Sequence, residues 1–165
     1  ADELQNSTPC SEWNLQELLN HMVNELLWVP ELLAGKTIVE VGDKLDGYLL
    51  GEDVQLAWSN AVKTATDAVE NVELDKIVHL SYADVTADHY INEVGGDVLI
   101  HGWDTAQSIK CNMIIETKLV QAVYDNILPR QDELAASGLF GKPIAVPKNA
   151  SLQTRLLALV GRKAG

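Results

Sequence analysis

Asp97 and His101 are the residues of this chain whose types and spacing most directly allow chemistry. They stand four apart in Gly96-Asp97-Val98-Leu99-Ile100-His101-Gly102-Trp103-Asp104, a run that reads as helix, so both side chains share one face a turn apart. A carboxylate and an imidazole so placed can hold one divalent cation, as Glu-x-x-His pairs do in helical bundles. Two ligands leave the set incomplete, and His21 is the best candidate for the third. Two neutral imidazoles and one carboxylate leave positions open on the ion, as in catalytic rather than structural zinc sites. Such a centre lowers the pKa of bound water toward about 7 and holds a bound thiol as thiolate.

The elements that must position these groups are helices. Asn14-Leu15-Gln16-Glu17 has the form of a capping box, and Leu15, Leu18, Leu19, Met22, Val23 and Leu26 follow a helical period. The first helix is therefore expected from Asn14 to about Leu33, with Gly35 stopping it. Lys36 to Gly51, punctuated by Gly42, Gly47 and Gly51, reads as a long crossover loop, and Glu52 to Glu70 as a second helix. Lys76 to Tyr82 alternates weakly, as a short extended piece would. Thr86 can cap a third helix reaching about Ile109. A fourth is expected over Glu116–Leu128 ahead of Pro129, and a short last one from Ser151 to about Val160. Gly138 to Asn149 reads as loop. The fold class is all-α, a four-helix bundle with a long crossover connection and a short C-terminal helix, in one domain over residues 1–165.

On the third helix, Glu93, Asp97, His101, Asp104 and Ser108 form a polar stripe beside an apolar majority. A solvated face and the wall of a site share this pattern. Gly95-Gly96 in mid-helix favours a site, since each costs roughly 1 kcal/mol against Ala unless backbone must approach something closely. His21 alone reads as a surface histidine beside Glu17, Asn24, Glu25 and Trp28, and His79 and His89 are weaker ligand candidates. Cys10 reads more readily as a buried, inert cap cysteine than as a reactive thiol.

The bulk properties exclude several classes. At 165 residues and 47% hydrophobic content the chain can bury a core. Its net charge of −12 argues against nucleic acid and against anionic membrane surfaces. No apolar run approaches the ~20 residues of a membrane span, and no signal-peptide pattern opens the sequence. With two cysteines and no Cys-x-x-Cys pair, the expectation is a reduced, soluble, cytoplasmic protein. No isolated apolar stripe decides between monomer and homodimer.

Thr8-Pro9-Cys10-x-x-Trp13, a helix bearing His21, the Asp97-x-x-x-His101-Gly102-Trp103-Asp104 run and the closing Gly161-Arg162 together resemble the DinB-like superfamily. Within it they look most like the actinobacterial branch of mycothiol-dependent maleylpyruvate isomerase and its metal-binding relatives. The resemblance spans nearly the whole chain. It implies a four-helix bundle with a long crossover and a metal held by His21, Asp97 and His101. The isomerase pattern has Glu in place of Asp97 and a further C-terminal domain that this sequence does not include, so a relative is expected rather than that isomerase. A small-molecule thiol, mycothiol or a similar one, and an electrophilic substrate are the implied partners. Glu25 and Asp104 are candidates to orient the imidazoles, and Trp28, Trp58 and Trp103 to wall the pocket. Zinc suits the ligands best; nickel, iron and manganese also accept them. Two rival readings stand beside a transferase or isomerase-like enzyme: a non-catalytic, stress-related metal- or ligand-binding protein, and an acidic interaction module.

Overall fold

The computed structural model describes residues 3–138 and 140–164. It divides into two compact units, Ala1–Lys110 and Cys111–Gly165, where the sequence alone led to an expectation of one domain. The chain is mostly helical, in keeping with an all-α class.

In the first unit α1 (Leu15–Leu33) packs against both α3 (Val54–Glu70) and α4 (Ala87–Ser108). The start of α1 is the expected capping box: the Asn14 side chain accepts from the Glu17 amide, and Glu17 accepts from the Asn14 amide at 2.8 Å. Its end is a left-handed stop at Gly35, φ 99°, whose N–H donates to the Leu32 carbonyl while that of Lys36 reaches Glu31. The crossover is not wholly loop, because Thr37 and Glu40 form a second capping box over the single turn α2 (Ile38–Val41). Asn20 and Asn24 of α1 then tie it down by hydrogen bonds to Gly47, Leu49 and Leu45. The helical period of α1 places Val23, Leu26, Val29, Leu32 and Leu33 in a core shared with Ala61 and Ala65 of α3 and Ala87, Tyr90 and Val94 of α4. Each fully buried Leu or Val there contributes about 1.5–3 kcal/mol.

The extended piece is a two-stranded antiparallel hairpin, β1 (Ile77–His79) with β2 (Asp84–Thr86), whose second strand the sequence reading did not anticipate. It delivers Thr86, which caps α4 by accepting from the His89 amide. The hairpin and the cap thus set where α4 begins, and with it the phase of the polar stripe.

In the second unit α5 (Thr117–Ile127) contacts α7 (Leu152–Leu159), and α6 (Gln131–Ser137) intervenes in a stretch left unassigned from sequence. The expected fourth bundle helix, α5, therefore belongs to this unit, and the packed body of the first unit has three long helices. The Gly161-Arg162 pair has a structural cause. Gly161 takes φ 80°, its N–H donates to Ala158, and the Arg162 N–H returns to Leu157, ending α7. Gly161 also lies directly on the backbone of Gly141, where a Cβ would come within 2.6 Å of Gly141 Cα.

Candidate metal centre

The polar stripe of α4 is not a solvated face. His101 is 7% exposed, Asp104 is fully buried, and Ser108 is buried with its hydroxyl on the Asp104 carbonyl. Across from it stands α1, which delivers His21 from the flank away from its leucines. His21, Asp97 and His101 each offer a donor atom within 4.8 Å of the others. Helix periodicity pairs Asp97 with His101, and the packing of α1 on α4 brings the expected third candidate, His21, to them.

The geometry is ordered around the Asp97 carboxylate. His21 Nε2 lies 3.4 Å from Oδ2, and His101 Nε2 lies 3.3 Å from Oδ1. Around a tetrahedral ion with bonds of about 2.0–2.1 Å to nitrogen and oxygen, neighbouring donors stand about 3.3–3.4 Å apart. Asp97 Oδ2 is sealed from solvent and has no well-aligned hydrogen bond among the described residues, with His21 Nε2 beside it at 3.4 Å. A buried carboxylate oxygen without a partner is costly unless a cation meets it. The donor set and this weakly satisfied, solvent-sealed oxygen both fit a divalent metal.

Each imidazole turns its other nitrogen to a second carboxylate. His101 Nδ1 lies 3.0 Å from Asp104 Oδ2, and His21 Nδ1 lies 4.0 Å from Glu25 Oε1. The carboxylate at Nδ1 of His101 selects the tautomer that leaves Nε2 free as a ligand. Electrostatics follow the same layout. Burial pushes the Asp97 carboxyl up, but His101 and His21 beside it outweigh that and hold it at about 2. Burial pushes His101 down, yet its bond to Asp104, then Asp97 and Cys10, lift it to about 11. Burial and the Asp97 charge raise Glu25.

Of the expected pocket walls, Trp28 and Trp58 are half-buried against the apolar core and Trp103 is buried. The tryptophan that meets the site is Trp13, with its ring 4.7 Å from His21 and 5.9 Å from His101, centroid to centroid. The two imidazoles meet edge to face at 5.2 Å. His79 and His89 are elsewhere, paired with Asp84 and Glu93. Close backbone approach is not the reason for Gly95: it is exposed, and a Cβ there would have nothing within 4 Å.

Cys10 is the residue sequence reasoning undervalued. It is half-buried, its Sγ 3.4 Å from Asp104 Oδ2 and 3.8 Å from His101 Nδ1. The Thr8-Pro9-Cys10-x-x-Trp13 segment explains how it gets there. Thr8 Oγ1 accepts from the Cys10 amide and lies 2.8 Å from the carbonyls of both Cys10 and Trp13. The Trp13 amide returns to Cys10, and Asn6 anchors the segment on the Ser108 carbonyl at the end of α4. One turn therefore positions both the thiol and the indole; the threonine–tryptophan spacing was the signal available.

No known family model, curated protein or solved structure matches this chain. Among the described residues, no helix is long and apolar enough to cross a membrane.

Proposed function

We propose that the chain is a divalent-metal enzyme that activates a low-molecular-weight thiol toward a small electrophilic substrate, with His21, Asp97 and His101 as the metal ligands. The observation that carries this reading is the convergence of three donor atoms from two helices, one each from His21, Asp97 and His101, at a carboxylate whose Oδ2 is sealed from solvent with no well-aligned hydrogen bond among the described residues. A structural zinc site would use four protein ligands; this set offers three and leaves a coordination position open. Bound there, a divalent ion supplies Lewis acidity that lowers the pKa of a thiol beside it. The protein's own contribution is positional. Asp104 orients His101 through Nδ1, Glu25 faces the corresponding nitrogen of His21, and Trp13 lies against both rings. Zinc suits two imidazoles and a carboxylate. The resemblance of the His101-Gly102-Trp103-Asp104 run to DinB-like proteins supports a thiol of the mycothiol class.

Elemental analysis of gently purified, tag-free protein tests the metal, with wild type beside His101→Ala. The expected result is close to one zinc, iron, nickel or manganese ion per chain, lost in the variant. Wild type that holds no metal and takes up none on addition would overturn the reading. Metal-loaded protein that then consumes no thiol with any electrophile would leave a binding protein instead.

A further inference from the structure

His101 presents a donor set on each side of its ring. Its Nε2 faces Asp97, while Nδ1 faces Asp104 Oδ2 at 3.0 Å and Cys10 Sγ at 3.8 Å, with Sγ and Oδ2 3.4 Å apart. We propose that Cys10, Asp104 and Nδ1 of His101 form a second cation site, selective for thiophilic ions, back to back with the first.

The distances fit such an ion. For tetrahedral coordination with a metal–sulfur bond of about 2.3 Å, sulfur stands about 3.5–3.6 Å from a nitrogen or oxygen donor. The three observed separations lie within about 0.4 Å of the corresponding edges. The site is also built rather than incidental. Thr8 pins the Cys10 backbone, Asn6 ties the same segment to α4, and Asp104 is fully buried. A thiolate favours soft and borderline ions such as zinc, cadmium and cuprous copper over magnesium or calcium.

While His101 keeps one ring proton, the two sites exclude one another. A neutral imidazole has one acceptor nitrogen and one N–H. An ion on Nε2 leaves the proton on Nδ1, donating to Asp104. An ion on Nδ1 leaves it on Nε2, toward Asp97, and Cys10 releases its thiol proton to solvent. The tautomer of one side chain therefore decides which cation the protein holds, and a thiophilic ion displaces the occupant of the first site.

The test uses the full chain with the exposed Cys111 changed to Ser, so that Cys10 is the only thiol. Cadmium is titrated while the thiolate-to-cadmium ultraviolet charge-transfer band is followed. One equivalent should develop the band, and nitrogen-15 spectra of His101 should show Nδ1 metallated and Nε2 protonated. Cys10→Ser should weaken cadmium binding by more than the roughly 10–100-fold that loss of an outer-shell partner costs. His21→Ala, which removes a ligand of the first site only, should leave the band intact. That variant also separates this inference from the thiol-enzyme reading, which fails without His21. No band with cadmium bound, a band that survives Cys10→Ser, or one that vanishes with His21→Ala overturns the second site.

Discussion

Metal uptake at His21, Asp97 and His101 should carry a steep pH dependence, and the structure sets its size. Asp97 is held at about 2 and is a carboxylate throughout the useful range. His101, lifted to about 11 by Asp104, Asp97 and Cys10, is protonated in the metal-free protein at neutral pH. A ligand must lose its proton to bind. Each pH unit below the pKa therefore weakens apparent affinity about tenfold, or roughly 1.4 kcal/mol. Between pH 7.5 and 9.5 zinc affinity should rise about a hundredfold through this one proton. An imidazole with the ordinary pKa of about 6.5 would give a nearly flat profile over that window. The assay is competition against a chelator of known affinity, paired with calorimetry in two buffers of different ionisation enthalpy to count released protons. Asp104→Asn removes the strongest of the groups that raise His101 and should flatten the profile. Zinc affinity unchanged above pH 7.5 in the wild type would refute the electrostatic account of the site. The sign for stability is the reverse: in the metal-free protein the raised His101 stabilises the fold fully below about pH 6.5. That contribution is lost as pH rises through about 11.

Asp97 makes the opposite acid-side prediction. Its depressed pKa contributes stability above about pH 4 that disappears as pH falls through about 2, and its carboxyl carbon resonance should titrate there; a midpoint near 4 would contradict the site geometry. Gly95→Ala should stabilise the metal-free protein by about 0.5–1 kcal/mol in urea unfolding, since the position is helical, exposed and open, and any loss of stability would show a backbone requirement there. Gly161→Ala should cost at least about 2 kcal/mol, combining a left-handed backbone with a Cβ pressed on Gly141, and thermal unfolding indistinguishable from wild type would rule this out.

What could be read from the sequence is what short-range physics controls. The starts of α1, α3, α4 and α7 follow from side-chain N-caps, the ends of α1 and α7 from glycine stops, and the helices themselves from a 3.6-residue period, all within a few residues of the position concerned. The Asp97–His101 pair is legible for the same reason, because four residues on a helix is one turn. The rest depends on which surfaces meet. Whether the α4 stripe faces water or protein is a property of the neighbouring helix, so Asp104 could be placed on the stripe but not known to be fully buried. His21 looks like a surface residue on its own helix, is a ligand candidate through the family resemblance, and is brought to Asp97 by the docking of α1 on α4. Cys10 and Trp13 lie outside any periodic segment. A hydrogen-bonded turn carries them onto the far end of a helix, bringing Cys10 to Asp104 across 94 residues. Local sequence pattern determined the helices and one ligand pair. The approach of His21 and Cys10 to Asp97, His101 and Asp104, and the burial that sets every charge, came from long-range packing, which no local pattern encodes.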